Sequence, residues 1–466
     1  MNSVSPVAIA VVGHTNVGKT SLVRTLMREA RFGEVAATAS TTRQVQAARL
    51  WADGRAQVEL LDTPGLEDAP ALIERLDARA SERHGGPERV RAFLTHADAR
   101  GRFEQEARVL AQVLDSDCAL YVIDAREPVL GKYQDELAIL ALCARPILPV
   151  LNFVAQSGHR APEWREALAR VGLHTLVEFD SVVFSLDAEC RLWQRLATLL
   201  DAHGARFEAL IEDRRRRATL LRGAALRRIA ELLIDSAAAC RFARREDEIE
   251  LRKAGTELAQ SIANHERAMV DDLLELTGFS RDAHAGLELP IDSAAWRAGA
   301  FHADQLERLG RSAGSAAAAG AATGAALDLA LGGLSLGAAT LLGAIAGGGA
   351  GGAWQLRHAA LDRLRGRTRV QADDRVIVLL AARALALLNA LEQRGHAAQT
   401  PLALAEHAPP PWLESGLPNA LQRARRHPEL SPLNPDMDGN PALREQLADE
   451  LATALATSQA PAQDKP

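Results

Sequence analysis

Gly13-His14-Thr15-Asn16-Val17-Gly18-Lys19-Thr20 stands directly behind the apolar run Val7–Val12 and ahead of a stretch with helical character, Lys19 to Arg31. The spacing is GxxxxGK[ST], and its place between a buried strand and a helix turns the pattern into a phosphate-binding loop. Backbone N–H groups of Gly13, His14, Thr15, Asn16, Val17 and Gly18 are expected to point inward at the phosphates, with the helix N-terminus adding positive potential. Lys19 is expected to neutralise β- and γ-phosphate oxygens. The Thr20 hydroxyl suits Mg²⁺, which prefers hard oxygen ligands. Ser21 follows as a further phosphate-side residue. The same apolar run, with no positive region before it and no cleavage site, is expected to be a buried strand and not a signal peptide.

A second motif, Asp62-Thr63-Pro64-Gly65, closes the apolar strand Gln57–Leu61. A carboxylate there can hold a water of the Mg²⁺ shell, so Asp62 joins Thr20 as a metal-site residue. Gly65 can offer its N–H to a γ-phosphate and swing when that phosphate leaves, which is how a nucleotide switch works. Between the motifs lies Ser40-Thr41-Thr42-Arg43. A threonine here would close over Mg²⁺ and the γ-phosphate, with Thr42 preferred to Thr41; the bland alternative is a polar loop.

These residues resemble the TrmE–Era–EngA group of GTPases, over about Val7 to Ser185. The resemblance implies a GTP-binding molecular switch that hydrolyses GTP slowly to GDP and phosphate. Asn16 stands where this group places an asparagine that helps hold potassium, so the resemblance offers a K⁺ site beside the Mg²⁺ site; the alternative is that Asn16 merely stabilises the loop. Leu66 follows the DTPG turn where other GTPases carry a water-positioning glutamine. A monovalent cation could then supply the charge that an arginine finger supplies elsewhere.

The sequence departs from the group at the base. Its guanine motif reads NKxD, whereas Pro146–Asn152 leads into Phe153-Val154-Ala155. Asn152 can still touch the purine. Ala155 removes the carboxylate that would accept two guanine N–H donors, a loss of roughly 2–3 kcal/mol of discrimination. Ser185-Leu186-Asp187 stands where Ser-Ala-Lys is usual, so Ser185 is expected on the base side; Asp187 is an alternative source of the missing carboxylate, but not the preferred reading. GTP remains favoured by the resemblance, with ATP or relaxed specificity as the alternatives.

The surrounding pattern gives an α/β fold, a doubly wound, mostly parallel sheet. Strands are expected at Val7–Val12, Val45–Trp51, Gln57–Leu61, Ala119–Ile123, Pro146–Asn152 and Ser181–Ser185, with helices between them. The long connection after Gly65 reads as an enlarged second switch with helices at Leu72–Arg83, Glu88–Phe93 and Phe103–Leu114. Beyond about residue 205 strand signals stop, and Ala and Leu dominate with aromatic residues at 4% of the chain. That predicts an all-α C-terminal domain. The expected division is 1–204 for the G domain, 205–311 helical, 312–356 a Gly/Ala-rich apolar hairpin, and 357–466 helical with a disordered tail. Overall the chain resembles a bacterial group joining such a G domain to a helical domain of unknown function.

Arg214–Arg217 could contact phosphate or lipid, but a solvated helix face is preferred. Between Ser312 and Trp354 the only charged residue is Asp328, and glycines recur at helical spacing, as in Gly343, Gly347 and Gly351. Small residues four apart let helices pack closely, as membrane helices do. The alternatives are membrane contact through 312–354 or a buried hairpin. The net charge of −6 makes nucleic acid an unlikely partner, although a local basic face remains open. Cys118, Cys143, Cys190 and Cys240 have no metal-ligand spacing and read as reduced thiols of a cytoplasmic protein, peripheral at the inner face of the cell membrane if the hairpin engages lipid. Two other roles stay open: an RNA-directed GTPase in ribosome assembly or tRNA modification, and a non-catalytic scaffold. A nucleotide-dependent dimer is a further expectation.

Overall fold

The computed structural model describes residues 5–29, 46–78, 85–279, 366–398, 412, 416–434, 437 and 439–458. The predicted switch threonines Thr41 and Thr42, the Gly/Ala segment 312–356 and the last eight residues lie outside them.

In the N-terminal half the strands are β1 (Val7–Val12), β2 (Gln46–Ala52), β3 (Arg55–Asp62), β4 (Cys118–Asp124), β5 (Ile147–Asn152) and β6 (Val177–Glu178). The sheet order is β2-β3-β1-β4-β5-β6. All pairs are parallel except β2 with β3. That antiparallel pair turns on Asp53 and Gly54, both at positive φ (51° and 71°), as a two-residue hairpin requires. The helices are α1 (Lys19–Met27), α2 (Ala69–Asp77), α3 (Gly86–Leu94), α4 (Glu104–Leu114), α5 (Gly131–Ala141), α6 (Ala161–Arg170) and α7 (Leu186–Leu199). The period-2 pleat sends β1 side chains into two cores. Val7, Ile9 and Val11 pack with Leu22, Trp193 and Phe207. Ala10 and Val12 pack with Leu66, Leu110, Tyr121 and Trp164. Both faces are covered, so β1 reads as a continuous apolar run.

Two expectations are corrected here. Residues Ser181–Ser185 form a loop, and the sixth strand is the shorter Val177–Glu178. Helix α1 ends at Met27, because Arg28 takes a left-handed conformation (φ 59°). The long connection after Gly65 carries α2, α3 and α4 close to where the sequence placed helices.

Two compact units are present, divided at Thr219/Leu220 inside α8 (Gly204–Ala238). The first also includes the short stretch that begins at Glu392. The second unit is helical, with α9 (Glu248–Leu276), α10 (Asp374–Glu392), α11 (Asn419–Arg426) and α12 (Pro441–Ser458). It adds a two-stranded antiparallel ribbon that the sequence did not announce, β7 (Cys240–Arg244) with β8 (Arg367–Gln371). Its core joins Leu233, Leu258, Leu273, Val370, Leu380, Leu387, Leu421 and Leu451. The apolar run Val376–Leu391 is thus a buried core helix. Its one interior charge, Arg383, pairs with buried Glu266 at 3.1 Å. No helix among the described residues is long and apolar enough to cross a membrane.

The arginine run on α8 is also corrected. Arg214 is 9% exposed, pairs with fully buried Glu189 at 3.1 Å and donates to the Leu26 carbonyl at 3.0 Å. Arg216 and Arg217 both reach Asp213, at 2.9 and 2.6 Å. The run ties α8 to α1 and α7 and is not merely a solvated face.

Candidate nucleotide site

The loop Gly13–Gly18 connects β1 to α1, with Asn16 at φ 67°. Lys19 is buried, and its Nζ donates to the Gly13 and His14 carbonyls at 3.1 and 2.7 Å. Burial lowers its pKa to about 8, against the opposing pull of Asp62, Glu136 and Glu67. The lysine therefore sits inside its own loop, where an arriving phosphate would find it poorly solvated and ready for an anionic partner.

The Thr20 hydroxyl donates to Asp62 Oδ2 at 2.7 Å. Asp62 is fully buried, and burial raises its pKa although Thr20 and Lys19 oppose the shift. Its second oxygen, Oδ1, is buried with no hydrogen-bond partner. An orphaned carboxylate oxygen beside a threonine hydroxyl is a hard, anionic donor set, which fits Mg²⁺ and its water shell. Ser21 lies in the first turn of α1.

Thr63 Oγ1 donates to the Val11 carbonyl at 2.8 Å, which fixes the DTPG turn to β1. Leu66 N donates to the Gly13 carbonyl at 3.2 Å. Gly65 lies so close to Thr15 that a β-carbon there would overlap the Thr15 side chain and backbone. Leu66 is fully buried in the core, so the position that carries glutamine elsewhere is here packed among apolar side chains. The turn is held from outside by Glu106 of α4, whose Oε1 accepts from Glu67 N and Asp68 N at 3.2 and 3.1 Å. The Thr15 hydroxyl reaches Glu67 at 3.2 Å.

The His14 side chain leaves the phosphate loop for the helical layer. Its Nδ1 meets Glu136 Oε1 at 2.8 Å, and Lys132 Nζ meets Nε2 at 3.0 Å. An anionic acceptor on one nitrogen and an ammonium donor on the other assign the neutral Nδ1–H tautomer. Tyr121 donates to the other Glu136 oxygen at 2.8 Å.

On the base side, Asn152 is fully buried. Its Nδ2 donates to the Val17 carbonyl at 3.1 Å, and its Oδ1 accepts from Phe153 N and Ser181 N at 3.0 and 2.9 Å. It joins the phosphate loop to the loop after β6. The Ser181 carbonyl in turn accepts from Thr25 of α1 at 2.8 Å. Phe153 takes the place of the motif's lysine, at φ 59°, with the Arg126 guanidinium 4.0 Å from its ring centroid. Ser185, expected at the base, caps α7 by accepting from Ala188 N at 3.3 Å, and Asp187 is exposed in the first turn of that helix. Ser181 makes the contact with Asn152 in its stead.

Residues beyond Glu392 clamp this loop. Phe184 N donates to the Gln393 carbonyl at 2.7 Å and Gly395 N to the Val182 carbonyl at 2.8 Å. Val183 and Arg394 form an antiparallel bridge between them. A β-carbon at Gly395 would overlap the Ser181 carbonyl. Glu106, Glu136 and Ser181 carried no motif signal. Only the acids' placement on otherwise apolar helix faces, beside Val109 and Val113 or Tyr133 and Leu140, marks them.

Comparison with known proteins agrees with this geometry. A family model described as "50S ribosome-binding GTPase" matches residues 8–153. Another, described as "Domain of unknown function (DUF3482)", matches residues 165–453, more than half of the chain. GTPase Der of Xanthomonas oryzae pv. oryzae (strain MAFF 311018) is 36% identical over 175 residues, 37% of this chain and 34% of that protein. GTPase Der of Stenotrophomonas maltophilia (strain R551-3) is 32% identical over 146 residues, 31% of each chain. The chain thus spans about a third of the length of these curated relatives. Among solved structures, Era in complex with MgGDPNP and nucleotides 1506–1542 of 16S ribosomal RNA is similar at 20% identity, covering 37% of this chain and 50% of that one, with a TM-score of 0.28.

Proposed function

The chain belongs to the DUF3482 family and carries a P-loop GTPase domain of the TrmE–Era–EngA kind, and from that premise we propose that it binds GTP with Mg²⁺, hydrolyses it to GDP and phosphate, and uses the nucleotide state to control its helical half. The observation that carries this reading is the pairing of Thr20 with Asp62 beside Lys19, with one Asp62 oxygen left unbonded. Lys19 would leave the Gly13 and His14 carbonyls to neutralise β/γ oxygens. Thr20 and Asp62 would hold the ion and its water. The ion, when bound, neutralises phosphate charge. Gly65 would donate its N–H to the γ-phosphate, with Glu106 keeping the following turn in place. Thr42 would close the site from the first switch.

With Leu66 buried, the position after the DTPG turn cannot orient the attacking water, so turnover is expected to be slow. Asn16, in its left-handed conformation, is the proposed potassium ligand; equal turnover in KCl and NaCl would remove that part. The decisive experiment is Mg²⁺-dependent phosphate release from GTP, wild type against Lys19→Ala. A wild type as inactive as the variant leaves only the scaffold reading.

A ribosome-directed role is the second reading, supported by the description of the family matched at residues 8–153. Membrane contact through 312–354 rests on composition alone, as do peripheral placement at the inner face of the membrane and a nucleotide-dependent dimer. Vesicle flotation with GTP or GDP tests the first, and sedimentation with each nucleotide tests the last.

A further inference from the structure

A carboxylate from outside the motif stands beside Ala155. Asp180 follows β6, is 7% exposed, and its Oδ2 accepts from the Ala155 backbone N–H at 2.9 Å. Its neighbour Ser181 is bonded through its N–H to Asn152 Oδ1. Asp180 therefore stands beside both the first and the fourth positions of the degenerate base motif. Its other oxygen, Oδ1, accepts from Val182 N and Val183 N at 2.8 and 2.9 Å. The clamp from Gln393 and Gly395 holds the same loop from behind.

We propose that Asp180 is the specificity-determining residue for the base, taking the place of the motif's lost aspartate. This rests on the GTP-binding reading above. An ionised carboxylate has about four acceptor positions, and backbone N–H groups occupy three of those on Asp180. One remains, on Oδ2. The usual bidentate grip on guanine N1–H and the 2-amino group needs two. Asp180 accordingly reads one donor, the N1–H. Adenine presents a lone pair at N1 and is repelled by the carboxylate. Hypoxanthine keeps the N1–H and lacks only the 2-amino group. The expected order is therefore guanine close to hypoxanthine, with adenine far behind, unlike a site that also reads the 2-amino group.

The test is calorimetric binding of GDP, IDP and ADP to the full chain with Mg²⁺. Wild type should bind GDP and IDP within about threefold of each other and ADP at least tenfold more weakly. Asp180→Asn should weaken GDP by about ten- to a hundredfold while ADP holds or improves, since the amide can donate to adenine N1. Adding Ala155→Asp to that variant should restore GDP and now penalise IDP. Equal weakening of all three nucleotides in Asp180→Asn would make the residue a loop clamp only and overturn the proposal, as would an unchanged preference. A wild type that prefers ADP, or binds none of the three, overturns the GTP reading itself and is distinguishable from either outcome.

Discussion

The Thr20 hydroxyl donates to Asp62 Oδ2 at 2.7 Å across 42 positions of sequence, and Asp62 Oδ1 is left buried with no hydrogen-bond partner. A buried, half-satisfied carboxylate is costly unless something else completes it. Chelation of Mg²⁺ should therefore weaken GTP binding, and Thr20→Ala should lower Mg²⁺-dependent affinity by about tenfold, the worth of one charge-assisted hydrogen bond or ligand. Titration of fluorescent nucleotide with and without EDTA reads both. Identical affinities in the two conditions would remove the metal from the site.

Lys19 predicts a pH dependence. Its folded pKa is lowered to about 8 by burial, so the protein without nucleotide releases this proton as pH rises through 8. Phosphates favour the charged form and raise the pKa, so nucleotide binding takes up a proton above that pH. Affinity should then fall by about tenfold between pH 7 and 9. For folding alone the sign is opposite: the unfolded chain holds the proton up to its higher ordinary pKa, so this group favours the folded state as pH rises from 8 to 10. Calorimetry in two buffers of different ionisation heat counts the protons taken up.

Asn152 satisfies three backbone groups, at Val17, Phe153 and Ser181. Asn152→Ala orphans all three inside the G unit and should cost roughly 2–4 kcal/mol of stability. Denaturant unfolding of the variant measures it. Nucleotide binding should fall too, because the phosphate loop loses its tie to the base-side loop.

Gly395→Ala places a β-carbon on the Ser181 carbonyl. The clamp must shift, and overpacking of this kind costs about 1–3 kcal/mol. Amide exchange at Phe184, whose N–H is bonded to Gln393, should speed up in this variant. Unchanged protection there would show that the clamp tolerates the added carbon.

Much of the phosphate site was legible because it is local. GxxxxGKT follows one apolar strand and DTPG ends another, and both motifs depend on backbone turns that few residue types can make. The position of Leu66 could be read, but not its burial, which needs the helical layer that covers the sheet. The base side was legible only at Asn152. The strand expected at Ser181–Ser185 failed because its apolar residues serve a clamped loop, and a short apolar run does not say which kind of partner covers it.

By itself the sequence determined that a GxxxxGKT loop, a DTPG turn and a mostly parallel sheet are present, since each rests on short runs of residues whose conformation is locally restricted. Only the tertiary structure decided that Asp180 stands beside Ala155, that Glu106 holds the turn after Gly65, and that residues 393–395 belong with the loop after β6. Those pairings join positions between 25 and more than 200 residues apart. Their cause is the need of buried amides and carboxylates to find partners once water is excluded, and no local pattern records which distant group will answer.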